Sequence, residues 1–123
     1  MPATLFVALR SQSVPVATAE KVRALSQDFG SQRKLAQLLD VSPAQITRWI
    51  RGKGIDALNA DRVDALEVVM SQLLRMYTPE VAGSWLRGLN PHLRDRRPID
   101  VIRRGQTVEV LDAIQAARAG SYA

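Results

Sequence analysis

Apolar residues along the chain recur mainly at three- and four-residue intervals, the spacing of a helix face, and strand-like alternation is scarce. The pattern predicts an all-α protein. Val22, Leu25 and Phe29 mark one face of a helix over Ala19–Asp28, with Thr18 placed to cap it and Gly30 to stop it. Ser31 caps a helix over Gln32–Leu39. Ser42 caps the next, which opens on Pro43, where a missing N–H costs nothing, and runs to Arg51 before Gly52-Lys53-Gly54. The longest pattern runs from Asp61 to Tyr77, and its apolar positions cover more than one stripe, so it is expected to pack against two partners. Thr78-Pro79-Glu80 restarts a helix through Leu86, and Asn90-Pro91 breaks the chain. Pro98 opens a short helix that ends at Gly105, and Thr107 to Ala119 forms the last, with Gly120 releasing it into a small-residue tail. Ahead of all this, Met1 to Val16 is weakly patterned, with Leu5 to Leu9 as a short helix or a packing arm.

The stretch LAQLLDVSPAQITRWI, Leu35 to Ile50, sets two helical patterns on either side of Asp40-Val41-Ser42. Leu35, Leu39, Val41, Ile46 and Trp49 fall where two crossing helices must be apolar, and Ala36 is small where they would cross. Asp40 tolerates the positive φ that such a turn needs. The other face of the second helix shows Ala44, Gln45, Thr47, Arg48 and Arg51, all short or hydrogen-bonding. The competing reading is an ordinary helical hairpin with a solvated face. Spacing, crossing residue and cap together favour a helix-turn-helix that reads DNA.

Charge sharpens this. The formal net charge is +5. Residues 1–57 carry 8 Lys and Arg against 4 acids, whereas the remainder is nearly balanced. In a major groove, Gln45 could pair with adenine and Arg48 with guanine, with Ala44 and Thr47 beside them. Ser42, Arg33, Lys34, Arg51 and Lys53 suit phosphates, which fix register rather than sequence. One such unit binds weakly, so a homodimer on an inverted repeat in the protein's own promoter is the economical assembly. The expected division is 1–57 for an N-terminal arm and DNA-binding domain, and 58–123 for a second helical domain.

The run TPEVAGSWLRGLNPHLRDRRPIDVIRRGQTVEVLDAI, Thr78 to Ile114, resembles the C-terminal domain of the MbcA/ParS/Xre antitoxins. Trp85-Leu86, Asn90-Pro91-His92-Leu93, Arg97-Pro98 with Ile99-Asp100-Val101-Ile102, Gly105, and Val108 to Ile114 carry the likeness, and the order and spacing of these short matches make it specific. Members of that family also carry an Xre-like helix-turn-helix, and the resemblance spans roughly Ser31 to Ala123. It implies an antitoxin that blocks a RES-domain toxin, an enzyme that consumes NAD⁺ or ADP-ribosylates a protein, and that represses the shared operon. The blocking element would then be Ala117 to Ala123, including Arg118, Gly120, Ser121 and Tyr122. Arg94, Arg96 and Arg97 would help dock the toxin, and apolar surface on the last two helices would supply most of the affinity. Read from their chemistry alone, Trp85 and Leu86 are core residues, and Arg103 and Arg104 complement a helix dipole.

Catalysis is disfavoured: His92 is the one histidine, cysteine is absent, and neither a Gly-rich phosphate loop nor paired carboxylates occur. The same scarcity disfavours a metal site, and no cofactor is expected. No apolar run approaches a membrane span, so a cytoplasmic location is expected. A free-standing dimeric regulator without a toxin stays open as an alternative; a RES-type reading frame beside the gene would decide against it.

Overall fold

A computed structural model describes residues 17–120. Among these residues the chain forms seven α-helices, a single 3-10 turn and no strand. They are α1 (Thr18–Phe29), α2 (Gln32–Leu39), α3 (Pro43–Ile50), α4 (Ala57–Leu73), α5 (Pro79–Arg87), the 3-10 turn (Pro91–Leu93), α6 (Pro98–Arg103) and α7 (Thr107–Gly120). The expected arm at Leu5 to Leu9 and the tail residues Ser121, Tyr122 and Ala123 lie outside the described residues.

Local chemistry sets most boundaries. Ser31 accepts from the Lys34 N–H at the start of α2, and Thr78 accepts from the Val81 N–H at the start of α5. Gly30 takes a φ of 92° at the end of α1, a left-handed conformation open to glycine at little cost. Three boundaries differ from the sequence reading. Thr18 lies inside α1 and caps nothing, because the chain turns into the helix one residue earlier, at Ala17. The long helix begins at Ala57 rather than Asp61, because the Asp56 carboxylate accepts from the Asn59 N–H and caps it, and it ends at Leu73. Gly120 belongs to α7 rather than ending it. The preceding Ala116, Ala117, Arg118 and Ala119 are good helix formers, and one glycine costs only about 1 kcal/mol.

One apolar cluster runs from Val22 to Ile114 and is almost wholly aliphatic. α1 packs on α2, α3, α4 and α5, while α4 packs on α6 and α7 as well. The broad apolar surface expected of the long helix is thus used on several sides: Val63, Leu66, Val69, Met70 and Leu73 are all buried. Polar bonds cross the same junction. Lys21 of α1 bridges Asp64 at 2.9 Å and Glu67 at 3.5 Å on α4. Arg62 of α4 donates to the Arg103 carbonyl at 3.1 Å.

Asn90 organises the turn before α6. Buried, it accepts from the Leu93 and Asp95 N–H groups through its carbonyl and from the His92 N–H through Oδ1. Arg94 and Asp95 are thereby held at φ of 58° and 59°, a conformation that costs an ordinary residue roughly 1–2 kcal/mol. The rigid corner read from Asn90-Pro91 is present, and most of its bonds come from Asn90.

Candidate functional site

The α2–α3 pair is joined through Asp40, whose φ of 56° is the left-handed turn its sequence position called for. The Asp40 and Val41 N–H groups bond carbonyls in the last turn of α2. Leu35, Ala36, Leu39, Ile46 and Trp49 are all buried at this joint, and Val41 packs partly against it. What remains outward on α3 and the following loop is Ala44, Arg48, Arg51 and Lys53, all exposed, with Gln45 and Thr47 half-buried.

Two of the expected base-contacting side chains carry structural bonds. Gln45 closes a capping box with Ser42: its Oε1 accepts from the Ser42 N–H at 3.0 Å, while Ser42 Oγ accepts from the Gln45 N–H at 3.2 Å. A bidentate contact to adenine through Gln45 would have to give up that cap. Thr47 donates to Gln32 Oε1 at 2.8 Å, which fixes the outer rim of the α2–α3 joint. Sequence reasoning missed Gln32, although its place at the first position of α2, opposite α3, was available as a signal. Arg48 lies over Gly54. A Cβ at Gly54 would come within 2.8 Å of Arg48 Nη2, and the φ of 68° there also favours glycine.

The basic residues do not form one patch. Arg33 lies exposed in the first turn of α2. Lys34 is two residues beyond Gln32, roughly 200° around the helix, and therefore away from α3. It instead lines a groove of about 640 Å³ between the α1–α2 corner and helices α5 and α6, together with Arg87, Arg97 and Arg103. Asp28 and Glu80 line it too. Burial pushes the Asp28 carboxyl above its ordinary range.

Of the residues expected to meet a protein partner, Arg96 is spent within the fold. It donates to the Leu93 carbonyl at 2.7 Å and to Gln106 at 3.2 Å, and it pairs with Glu109 at the start of α7. Arg94 and Arg97 are exposed. On α7, Arg118 reaches Gln72 of α4 at 3.3 Å, Ala117 is half-buried and Gly120 is exposed. Arg103, read as a dipole partner of its own helix, donates to the Leu38 carbonyl at the end of α2, while also pairing with Asp100 at 3.5 Å. Trp85 is half-buried against the core, and among the described residues Val108 and Leu89 are the most exposed large apolar side chains, at 71% and 68%. Among the described residues no helix is long and apolar enough to cross a membrane, and no group of acids and histidine is gathered to hold a metal.

No protein-family model matches the chain. Its all-helical fold is nevertheless that of an antitoxin: it matches a chain in the crystal structure of the Mycobacterium tuberculosis MbcT–MbcA toxin–antitoxin complex. That match has a TM-score of 0.70 and 27% identity, and covers 86% of this chain and 97% of that one. The chain is homologous to the mycobacterial cidal antitoxin MbcA. It is 29% identical over 90 residues to MbcA of Mycobacterium tuberculosis and of Mycobacterium bovis, covering 72% of this chain and 80% of those. A probable mycobacterial cidal antitoxin of Mycobacterium tuberculosis is 28% identical over 107 residues, 87% of this chain and 92% of its own length.

Proposed function

We propose that this chain is the antitoxin of a toxin–antitoxin pair, that its toxin is a RES-domain enzyme, and that it represses its own operon as a DNA-binding homodimer. The observation that carries the reading is the likeness to MbcA, which extends through both halves of the chain and nearly the full length of the matched structure. The antitoxin itself performs no chemistry; it occupies a partner. Residues 58–123 form the toxin-binding part, supported by the exposed Val108 and Leu89 on and before the last two helices, which offer apolar area to a protein surface. The end of α7 and the tail from Ala117 to Ala123 enter the toxin's active site.

The DNA-binding part is residues 1–57, with α3 as the reading helix. Its support is the outward set Ala44, Arg48, Arg51 and Lys53 on a helix whose other face is locked by Trp49 and Ile46. Arg48 reads a base, and Arg33, Arg51 and Lys53 hold phosphates. Ser42 and Gln45, joined in the capping box, present the start of that helix to the groove.

Deleting Gly120 to Ala123 tests the blocking element. The shortened protein is expected to fold and to hold the toxin, because the apolar docking surface is untouched, while the toxin in the complex regains activity. A truncated protein that still silences the toxin in a purified assay would move inhibition from the tail to the body of the domain.

A further inference from the structure

The groove between the α1–α2 corner and helices α5 and α6 takes in Lys34, expected on a DNA phosphate, and Arg97, expected to help dock the toxin. Lys34, Arg87 and Arg97 come from three separate segments and line the same groove. Among the described residues none of these three cationic heads has a hydrogen bond or ion pair, whereas Lys21, Arg62, Arg96, Arg103 and Arg118 are each tied to an acceptor. These three unpaired cations outnumber the two acids of the groove, Asp28 and Glu80, and an anion there would offset the excess.

The groove also carries an acceptor. Asp28 lines it, partly buried and without a side-chain partner among the described residues, with Glu80 at the start of α5. Two acids argue against a polyanion laid along the wall. They fit a ligand with one anionic end and a hydroxyl-bearing end. Phe29, Leu38 and Ile99 give the floor apolar area, and about 640 Å³ lies within the range of small-molecule sites. Lys34 faces away from α3, so a DNA duplex on the proposed reading helix would not cover this wall.

Gly83 is part of the construction. It is buried in α5, and a Cβ there would lie 3.3 Å from Arg87 Nη1 and 3.7 Å from a Phe29 ring carbon. Glycine therefore lets the Arg87 guanidinium lie back over the helix toward the groove.

We propose that this groove binds a nucleotide or similar sugar phosphate, with Lys34, Arg87 and Arg97 on the phosphates and Asp28 accepting from sugar hydroxyls. The site is independent of the antitoxin reading and stands or falls separately from it.

The test is a titration of the full chain with ADP and with inorganic pyrophosphate, followed by calorimetry and by amide NMR shifts. ADP is expected to shift the amides of Gly30, Gly83 and Arg97 and to leave those of Arg48 and Lys53 in place. Arg87→Gln and Arg97→Gln should each weaken ADP by about tenfold, the effect of one charge-assisted hydrogen bond. Asp28→Asn should weaken ADP but not pyrophosphate. Gly83→Ala keeps every charge and improves helix propensity, so it should hold or raise the melting temperature while weakening ADP through a displaced Arg87. Shifts that spread equally over Arg48, Arg51 and Lys53 would overturn the proposal in favour of general anion attraction. So would ADP affinity unchanged in Arg87→Gln and Gly83→Ala, or cationic variants that weakened only binding of a protein or of DNA.

Discussion

The Arg103 side chain donates from Nε to the Leu38 carbonyl at 2.9 Å, joining residues 65 apart in sequence. Leu38 lies in the last turn of α2, where carbonyls lack helical partners, so a cation from α6 completes a helix in the other half of the chain. Arg103 offers its own carbonyl to Arg62 in turn, at 3.1 Å. The bonds bind α2, α4 and α6 into one frame.

Arg103→Ala should therefore destabilise the whole chain rather than α6 alone. Loss of a charged donor from a half-buried carbonyl costs about 1–3 kcal/mol, a large share of the stability of a small domain. Thermal unfolding should remain a single transition at lower temperature. An unchanged midpoint would mean that water satisfies the Leu38 carbonyl equally well.

How much of this was legible beforehand depends on whether the cause is local. Ser31, Ser42, Thr78 and the Asp40 turn act within four residues, and their roles could be read from the sequence. The buried set at the α2–α3 joint followed from periodicity alone. A capping residue type does not fix where the chain turns, as Thr18 shows, whereas Asp56-x-x-Asn59 is a local cap of the same kind as the serine caps, its carboxylate accepting from the Asn59 N–H at 3.3 Å. Gln45 suits a base reader and Ser42-x-x-Gln45 is equally the pattern of a capping box, which the structure forms. Arg103 to Leu38 and Arg96 to Glu109 depend on how distant helices meet, which helix periodicity does not encode.

Trp49 is 3% exposed, and its replacement by alanine should cost about 3–5 kcal/mol. Trp49→Ala is expected to lose the proposed DNA binding by unfolding, seen as lost helical circular dichroism. A variant that stayed folded and failed only to bind DNA would place the ring on the binding face instead.

On promoter fragments, Arg48→Ala should cost roughly 1–3 kcal/mol and relax preference at one base pair in each half-site. Lys53→Ala should weaken all sequences alike and lower the salt slope by about 1. Equal affinity and unchanged preference in Arg48→Ala would remove α3 as the reading helix.

Stability should fall at both ends of the pH range, for separate reasons. The Asp64 carboxylate, accepting a hydrogen bond, raises Lys21 above the ordinary lysine value of 10.5. Its stabilisation is present below that value and is lost as pH rises through the raised one. The Asn59 side chain, donating to Asp56, lowers that carboxyl below 3.8, so its contribution is present above that value and lost as pH falls through the lowered one. Lys21→Met should flatten the alkaline limb of a melting-temperature profile, and Asp56→Asn the acidic limb. Profiles that kept both limbs would assign them to other groups.

Co-expression with the product of a RES-type reading frame beside the gene tests the proposed antitoxin role most directly. That product, expressed alone, is expected to arrest growth; expressed with this chain, it should allow growth and co-purify with it. Arrest that persists in the presence of folded chain, with no complex recovered, would contradict the account.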